Sequence, residues 1–395
     1  MHSRTKPHFE QGSLTATTVL PWLFVVLFVQ IAAINAVSFI SQHGPIFVQR
    51  VVFGFGYDYH DFYLGAADIL QGLDPYLRGR LFTPPSSTIL GFALVWLPFQ
   101  AASLVWFGIN IVLIHFSLHL LAQQWKLNRE NRWALFGILW VFYPFYFLIE
   151  RGNLDGIMLT VLTLAFAAQN WVIRGVALGV SVSVKVYSGL FFPILLMRRK
   201  WKIALVGLLV FILFQLPFQH LLLSFFHAVT GRSGLMIIEQ NLCPAPLFQL
   251  IIGHTPRRWK NLYYAFWAGT LLLRLWKDRD NDIAQVWPMY TPWMMSFPLL
   301  VFPYTGILAL PLIAKIASEC QQRKPLLSHF LILAGFAMLG FQAIAWTDFL
   351  NLLGNTDLRM HSVCAAGVAM MMVGTCISPN PEMLLPEPAL DSPSI

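Results

Sequence analysis

The chain has 395 residues, 57% of them hydrophobic and only 11% charged, with a formal net charge of +8. That is more apolar surface than a soluble domain of this size can bury, so a soluble globule is excluded and an all-α, polytopic membrane protein is expected. No Gly-rich phosphate loop, GxGxxG or HExxH pattern occurs, which leaves nucleotide binding and zinc hydrolysis unsupported, and nothing points to nucleic acid.

Hydropathy punctuated by Pro, Gly and charge predicts about twelve spans: 18–40, 84–99, 101–123, 133–149, 154–172, 176–196, 202–226, 261–276, 284–301, 304–318, 327–346 and 360–377. They form one membrane-embedded domain over 1–380, followed by a Pro- and Ser-rich tail, 381–395, expected to be disordered. The first span follows a basic leader (Arg4, Lys6), is too long for a signal-peptide core, and reads as a retained signal anchor. Cys243, Cys320, Cys364 and Cys376 have no CxxC spacing and read as packing residues.

Orientation comes from "MRRKWK" (Met197 to Lys202), the densest basic cluster, which belongs in the cytoplasm. Counting spans from it places both termini inside, and the loops 41–82, "WKLNRENR" and 227–260 outside. Lys and Arg then divide almost equally between the two sides, so either the orientation is wrong or the outer loops are basic for a reason of their own. Arg50, Arg78, Arg80, Arg232, Arg257, Arg258 and Arg359 suit bidentate capture of phosphate; anionic lipid headgroups are the plainer partner.

Between the first two spans, "YDYHDFYLGAADILQGLDPY" (Tyr57 to Tyr76) concentrates four carboxylates: Asp58, Asp61, Asp68 and Asp74. Its wheel puts Phe62, Ala66, Ile69, Leu70 and Leu73 on one side, and Asp61, Gly65, Asp68 and Gly72 on the other. This predicts a juxtamembrane helix on the outer surface that stops at Gly72. Asp58 at its entrance reads either as an N-cap, with Asp61 complementing the dipole, or as a general base at the membrane boundary. Asp68 reads as a solvated-face residue and Asp74 as a turn residue.

Further on, "IERGNLDGIML" interrupts two apolar runs with Glu150, Arg151, Asn153 and Asp155, a pattern common to solvated turns. Lys185, in "GVSVSVKVYSGLFFP", falls near the middle of a predicted span. There it needs an internal partner such as Asp155, Glu150 or a bound phosphate. In the loop 227–260, Glu239, Gln240 and Asn241 form a compact set of hydrogen-bonding groups for sugar hydroxyls.

Taken in order, these stretches resemble the GT-C superfamily of integral-membrane glycosyltransferases, and within it glycosyltransferase family 87, the polyprenyl-phosphate-mannose-dependent alpha-mannosyltransferases. The GPI mannosyltransferase I family is a more distant likeness. The resemblance is carried by the Asp-led helix ending in "GLDPY", then "FTPPSSTILGFALVWLPF", "RGNLDGIML", "SVKVYSGLFFPILLMRRKW", "EQNLCPAPLFQLI" and "FPYTGILALPLI". Ser188 departs from the Pro that the family has after its Lys-x-Tyr element. The resemblance implies transfer of a hexose, mannose in this family, from a polyprenyl-phosphate sugar to a hydroxyl of a glycolipid or envelope glycan. The reaction is a single inverting displacement on the outer face of a bacterial-type inner membrane. It implies Asp58 as the base, with Asp61 and His60 in support. Tyr76, Arg78, Arg80, Lys185, Arg232, Glu239, Gln240, Asn241, Arg257 and Arg258 are the candidate substrate-binding residues. Beyond the lipid-linked donor no cofactor or metal is expected. A transporter or lipid flippase is the rival reading, since many spans and an intramembrane Lys also suit alternating access.

Overall fold

The computed structural model describes residues 19–40, 56–81, 83–231, 244, 247–248, 256–296, 303–322, 326–340 and 361–379. Among the described residues the fold is all-helical. The expected tail and the basic leader lie outside them.

The main helices are α1 (Val19–Ile40), α2 (Tyr57–Leu70), α3 (Phe99–Gln124), α4 (Arg129–Val141), α5 (Tyr143–Arg151), α6 (Asp155–Ala167), α7 (Trp171–Val184), α8 (Phe191–Met197), α9 (Trp201–Gln215), α10 (Leu222–Gly231), α11 (Pro256–Lys277), α12 (Leu310–Gln322), α13 (Leu327–Leu339) and α14 (His361–Ile377). Among the described residues, Phe99–Gln124 and Trp201–Thr230 are long and apolar enough to cross a membrane by length and composition; α4 and α5, bent by 54°, make a third candidate as a pair. The expected twelve spans therefore have two or three counterparts of full length among the described residues. Several legs are 13 or 14 residues long, about 20 Å at the helical rise and short of a hydrocarbon core of about 30 Å. The α4–α5 bend follows from Pro144, which has no N–H to give the preceding turn and leaves Phe142 extended.

Two predicted spans are corrected, and together they turn part of the chain over. The segment 84–99 does not form a span. Prolines 84, 85 and 98 break it into the 3-10 turn Pro85–Thr88, the single α-turn Ile89–Phe92 and further turns. The predicted span 176–196 is two legs rather than one. Helix α7 ends where Lys185 turns extended (φ −148°, ψ 124°), and Val186–Leu190 followed by α8 runs back. Lys202 lies over the Trp171 ring at 6.0 Å, so the far end of α8 returns to the head of α7. Counted as legs of the helical fold, one is lost and one gained, so the legs between them run opposite to the expected direction.

Hydrogen bonds fix which loops share an end. Gln124 Nε2 donates to the Ala284 carbonyl (2.9 Å), Asn131 Nδ2 to Gln321 Oε1 (2.8 Å), Arg198 to the Asn281 carbonyl, and Arg274 Nη1 to the Thr375 carbonyl (2.7 Å). "WKLNRENR", where Asn128 caps α4 by accepting the Asn131 N–H at 2.9 Å, therefore sits at the same end as "MRRKWK". This corrects its expected outer placement. The opposite end gathers the Gly56, Gly152, Asp155 and Lys185 segments. Glycines set the closest helix crossings, Gly175 and Gly179 of α7 against Val206 and Gly207 of α9, and Gly335 of α13 against Gly367 of α14.

Helix α2 ends as the sequence suggested. Gly72 is left-handed (φ +73°), the Leu73 N–H donates to the Asp68 carbonyl and the Gly72 N–H to that of Ile69, a Schellman motif. Its two faces differ from expectation. Phe62 and Ala66 are buried, but so are Gly65 and Asp68, whereas Leu70 and Leu73 are exposed. The reason is the turn after the helix, which folds back over the presumed polar face. It seats Leu81 on Gly65 and aims Arg78 and Arg80 at Asp68.

Candidate active site

The α2 entrance is built on two left-handed glycines. Gly56 (φ +83°) precedes the helix and donates its N–H to the Glu150 carbonyl at 2.7 Å. Gly152 (φ +66°) ends α5 in a second Schellman arrangement, with the Asn153 N–H donating to the Leu148 carbonyl. A side chain at Gly152 would put its Cβ 2.7 Å from that of Tyr59, so the close approach of the two segments needs glycine as much as the φ does. Trp106 Nε1 donates to the Gly152 carbonyl at 2.7 Å, and its ring stacks on Tyr59 with centroids 5.0 Å apart.

This seam places Asp58 beside "RGNLD". Asn153 Nδ2 donates to Asp58 Oδ2 at 2.7 Å, and Arg151 Nη1 lies 3.5 Å from Oδ1. Asn153 Oδ1 accepts from Lys185 Nζ at 2.7 Å and from the Leu154 N–H at 2.7 Å. Lys185 Nζ also donates to Asp155 Oδ2 at 2.7 Å; that carboxylate further accepts from the Tyr187 hydroxyl and from Thr305 Oγ1 at 3.1 Å. The result is one connected network from the Pro303–Ala309 turn to the head of α2. Asp155 at its centre is fully buried, while the Asp58 side chain keeps 22% exposure.

Burial pushes the Asp58 carboxyl above the ordinary carboxylate value. The Asn153 hydrogen bond and the Arg151 and Lys185 charges pull it back, and Asp155 adds to the rise. The N-cap reading of Asp58 is corrected. Gly56 holds the capping position, and Asp58 lies inside the first turn with its carboxylate turned to Asn153.

Several expected roles fall elsewhere. Asp68 is buried and pairs with Arg78 (2.8 Å) and Arg80 (3.0 Å), so it is no solvated-face residue and both guanidiniums have a carboxylate partner. Asp74 behaves as expected, accepting the Tyr76 N–H at 2.8 Å in the turn before Pro75. Tyr76 is buried and donates its hydroxyl to the Thr83 carbonyl at 2.7 Å. His60 is exposed and packs edge-on to Phe99, and Asp61 is half-buried one residue further on. Lys185 leaves mid-span for the apex between α7 and α8, neutralised by Asp155 as one of its proposed partners. Arg258 is exposed in the first turn of α11. Arg232, Glu239, Gln240, Asn241 and the Arg257 side chain lie outside the described residues.

Tyr187 and Thr305 join the site without having been expected there. Tyr187 had a signal, two residues beyond the suspect lysine. Thr305 is 150 residues from Asp155; it lies within the quoted "FPYTGILALPLI", but nothing in that stretch pointed to Asp155. Among the described residues no three His, Cys, Asp or Glu side chains meet as a metal group.

Comparison with curated proteins and with solved structures finds no match. Residues 82–252 match the sequence profile of glycosyltransferase family 87. The matched span includes Arg151, Asn153, Asp155 and Lys185, and begins after Asp58. Over that span the chain is similar to glycosyltransferase family 87, and the likeness read from its motifs stands.

Proposed function

We propose that the protein is a membrane-embedded glycosyltransferase that moves a hexose, mannose in the first instance, from a polyprenyl-phosphate donor to a hydroxyl of a glycolipid or envelope glycan, with Asp58 as general base. One observation carries this reading. Of the two carboxylates in the network, Asp155 is sealed by Lys185, Tyr187 and Thr305, whereas Asp58 is partly open, fixed by one amide and loosely paired with one guanidinium.

One open carboxylate in the network, with the other sealed, suits a single displacement with inversion better than a double displacement, which needs a nucleophile as well as an acid/base. The acceptor O–H gives its proton to Asp58 as its oxygen bonds to the anomeric carbon. The bond from that carbon to the phosphate oxygen breaks, and the electron pair leaves with the lipid phosphate. A carboxylate whose proton affinity is raised by burial is a better base than an unperturbed one. Arg151, at 3.5 Å from Asp58 and 28% exposed, is the cation placed to balance charge growing on the departing phosphate.

Orientation follows from the loops. The segments "WKLNRENR", "MRRKWK" and Lys277 to Arg279 share one end, and basic loops of this kind stay cytoplasmic. Asp58 at the other end then faces outward in a bacterial-type inner membrane, where a lipid-linked donor and acceptor meet without a nucleotide.

The test is transfer of labelled mannose from polyprenyl-phosphate mannose to glycolipid acceptors in proteoliposomes. Asp58→Asn is expected to lower the rate by about 10²–10⁴-fold. Equal transfer by wild type and variant rejects Asp58 as the base. Wild-type protein that transfers no sugar yet moves lipid across vesicles rejects the enzyme reading in favour of a flippase.

A further inference from the structure

We infer that Asn153 is a positioning residue for Asp58, a side-chain amide locked by Lys185 so that its NH₂ group holds one oxygen of the carboxylate. The inference deepens the proposed function and rests on its assignment of Asp58 as the base. Asn153 is 5% exposed, and its oxygen takes two donors, the Lys185 ammonium and the Leu154 N–H, each at 2.7 Å. Turning the amide over would set its NH₂ against an ammonium and an N–H, leaving both donors without an acceptor. The nitrogen must therefore point to Asp58, where it lies 2.7 Å from Oδ2.

Lys185 is held in turn. Asp155 takes its second donor contact at 2.7 Å and is itself fixed by Tyr187 and by Thr305. The helix break at Lys185 is what allows this, because its extended backbone turns the side chain out of the α7 ladder toward the head of α6. A rigid chain of partners thus runs from Thr305 to Asp58 Oδ2. It leaves Oδ1, with Arg151 at 3.5 Å, as the oxygen open to a proton.

The charged groups that act on the Asp58 carboxyl are Arg151 at the end of α5, Asp155 at the head of α6 and Lys185 at the end of α7. Within this set Asn153 supplies a hydrogen bond that favours the ionised carboxylate, opposing the burial that disfavours it. The amide also lies between the base and Lys185, so the ammonium polarises the donor that Asp58 receives.

Infrared difference titration of the full-length protein in detergent tests this directly. The band to follow is the protonated-carboxyl C=O stretch that disappears in Asp58→Asn. In Asn153→Ala the midpoint of that band is expected to move to higher pH by on the order of one unit, a tenfold rise in proton affinity. Asn153→Ser should move it in the same direction. Its hydroxyl still accepts the Leu154 N–H and supports the turn, but is too short to reach Asp58, so it decides the matter if the Ala variant does not fold. Lys185→Met should shift the midpoint less in the Asn153→Ala background than alone. A midpoint that stays at the wild-type value in folded Asn153 variants overturns the inference. Because the band is read without substrate, a wild type that fails to transfer sugar rejects the proposed function and leaves this measurement standing.

Discussion

The two ends of the bundle each bury an ion pair, and the pairs are built differently. At the basic end Arg274 and Asp278 are one turn apart on the α11 side, both 0% exposed, with Arg274 Nε donating to Asp278 Oδ2 at 2.7 Å and Nη1 to the Thr375 carbonyl. That pair pins α14 and is joined by the buried Asn281, whose Nδ2 donates to Asp278 Oδ1 at 3.3 Å. At the Asp58 end Lys185 and Asp155 come from different helices, take further partners from Asn153, Tyr187 and Thr305, and end on a carboxylate that solvent reaches. A buried pair whose hydrogen bonds all point inward holds structure; one that hands a hydrogen bond to an open group can also set that group's chemistry.

Breaking each pair sharpens the contrast. Asp278→Asn leaves a buried guanidinium without its counter-charge, and Asp155→Asn does the same to Lys185, so each should lose about 3–5 kcal/mol of stability in denaturant titrations. Transfer per folded molecule should fall only for Asp155→Asn. Equal losses of specific activity at both sites would dissolve the distinction between the two ends.

Asp58, the proposed base, gives the next largest effect. Its carboxyl is raised above the ordinary value by burial, so folding favours the protonated form relative to the unfolded chain. Stability from this group is complete below the unfolded-state value and is lost as pH rises through the folded one. At neutral pH the ionised group is therefore a cost, and Asp58→Asn should keep or raise the unfolding midpoint while abolishing transfer. The acid limb of wild-type transfer should lie above that of an unperturbed aspartate, because the base works only when ionised. A variant that melts well below wild type would mark Asp58 as structural.

The smallest effect belongs to the turn after α2. Arg78 and Arg80 are partly exposed, at 47% and 26%, and engaged by Asp68. Arg78→Ala should cost no more than about 1 kcal/mol and leave the KM for a polyprenyl-phosphate donor near wild type. A tenfold rise in KM with kcat kept would return the arginine to the phosphate-binding role suggested by sequence.

Much of this site was legible in pieces. The Asp-led helix, its stop at Gly72, the turn at Asp74 and the need of Lys185 for an acidic partner all follow from local rules of capping, Gly φ and buried charge. The direction of the helical legs was not, because two errors in counting them cancelled at "MRRKWK" and hid the inversion between them. Hydropathy registers that 84–99 is apolar. It does not register that prolines 84, 85 and 98 fold the segment against α2, or that an extended Lys185 turns one run into two legs.

The sequence by itself determined the all-helical, apolar class of the chain and the likeness to glycosyltransferase family 87, and it named Asp58 and Lys185 as candidates with Asp155 as a possible partner of the lysine. Composition, local backbone preference and the cost of buried charge act over a few residues and can be read in order. Only the tertiary structure decided that these residues are one network, that Asp68 claims Arg78 and Arg80, and that Asn153 and Thr305 belong to the site. Those pairings are settled by which helix ends meet, and the contacts that decide it join residues as far as 190 positions apart.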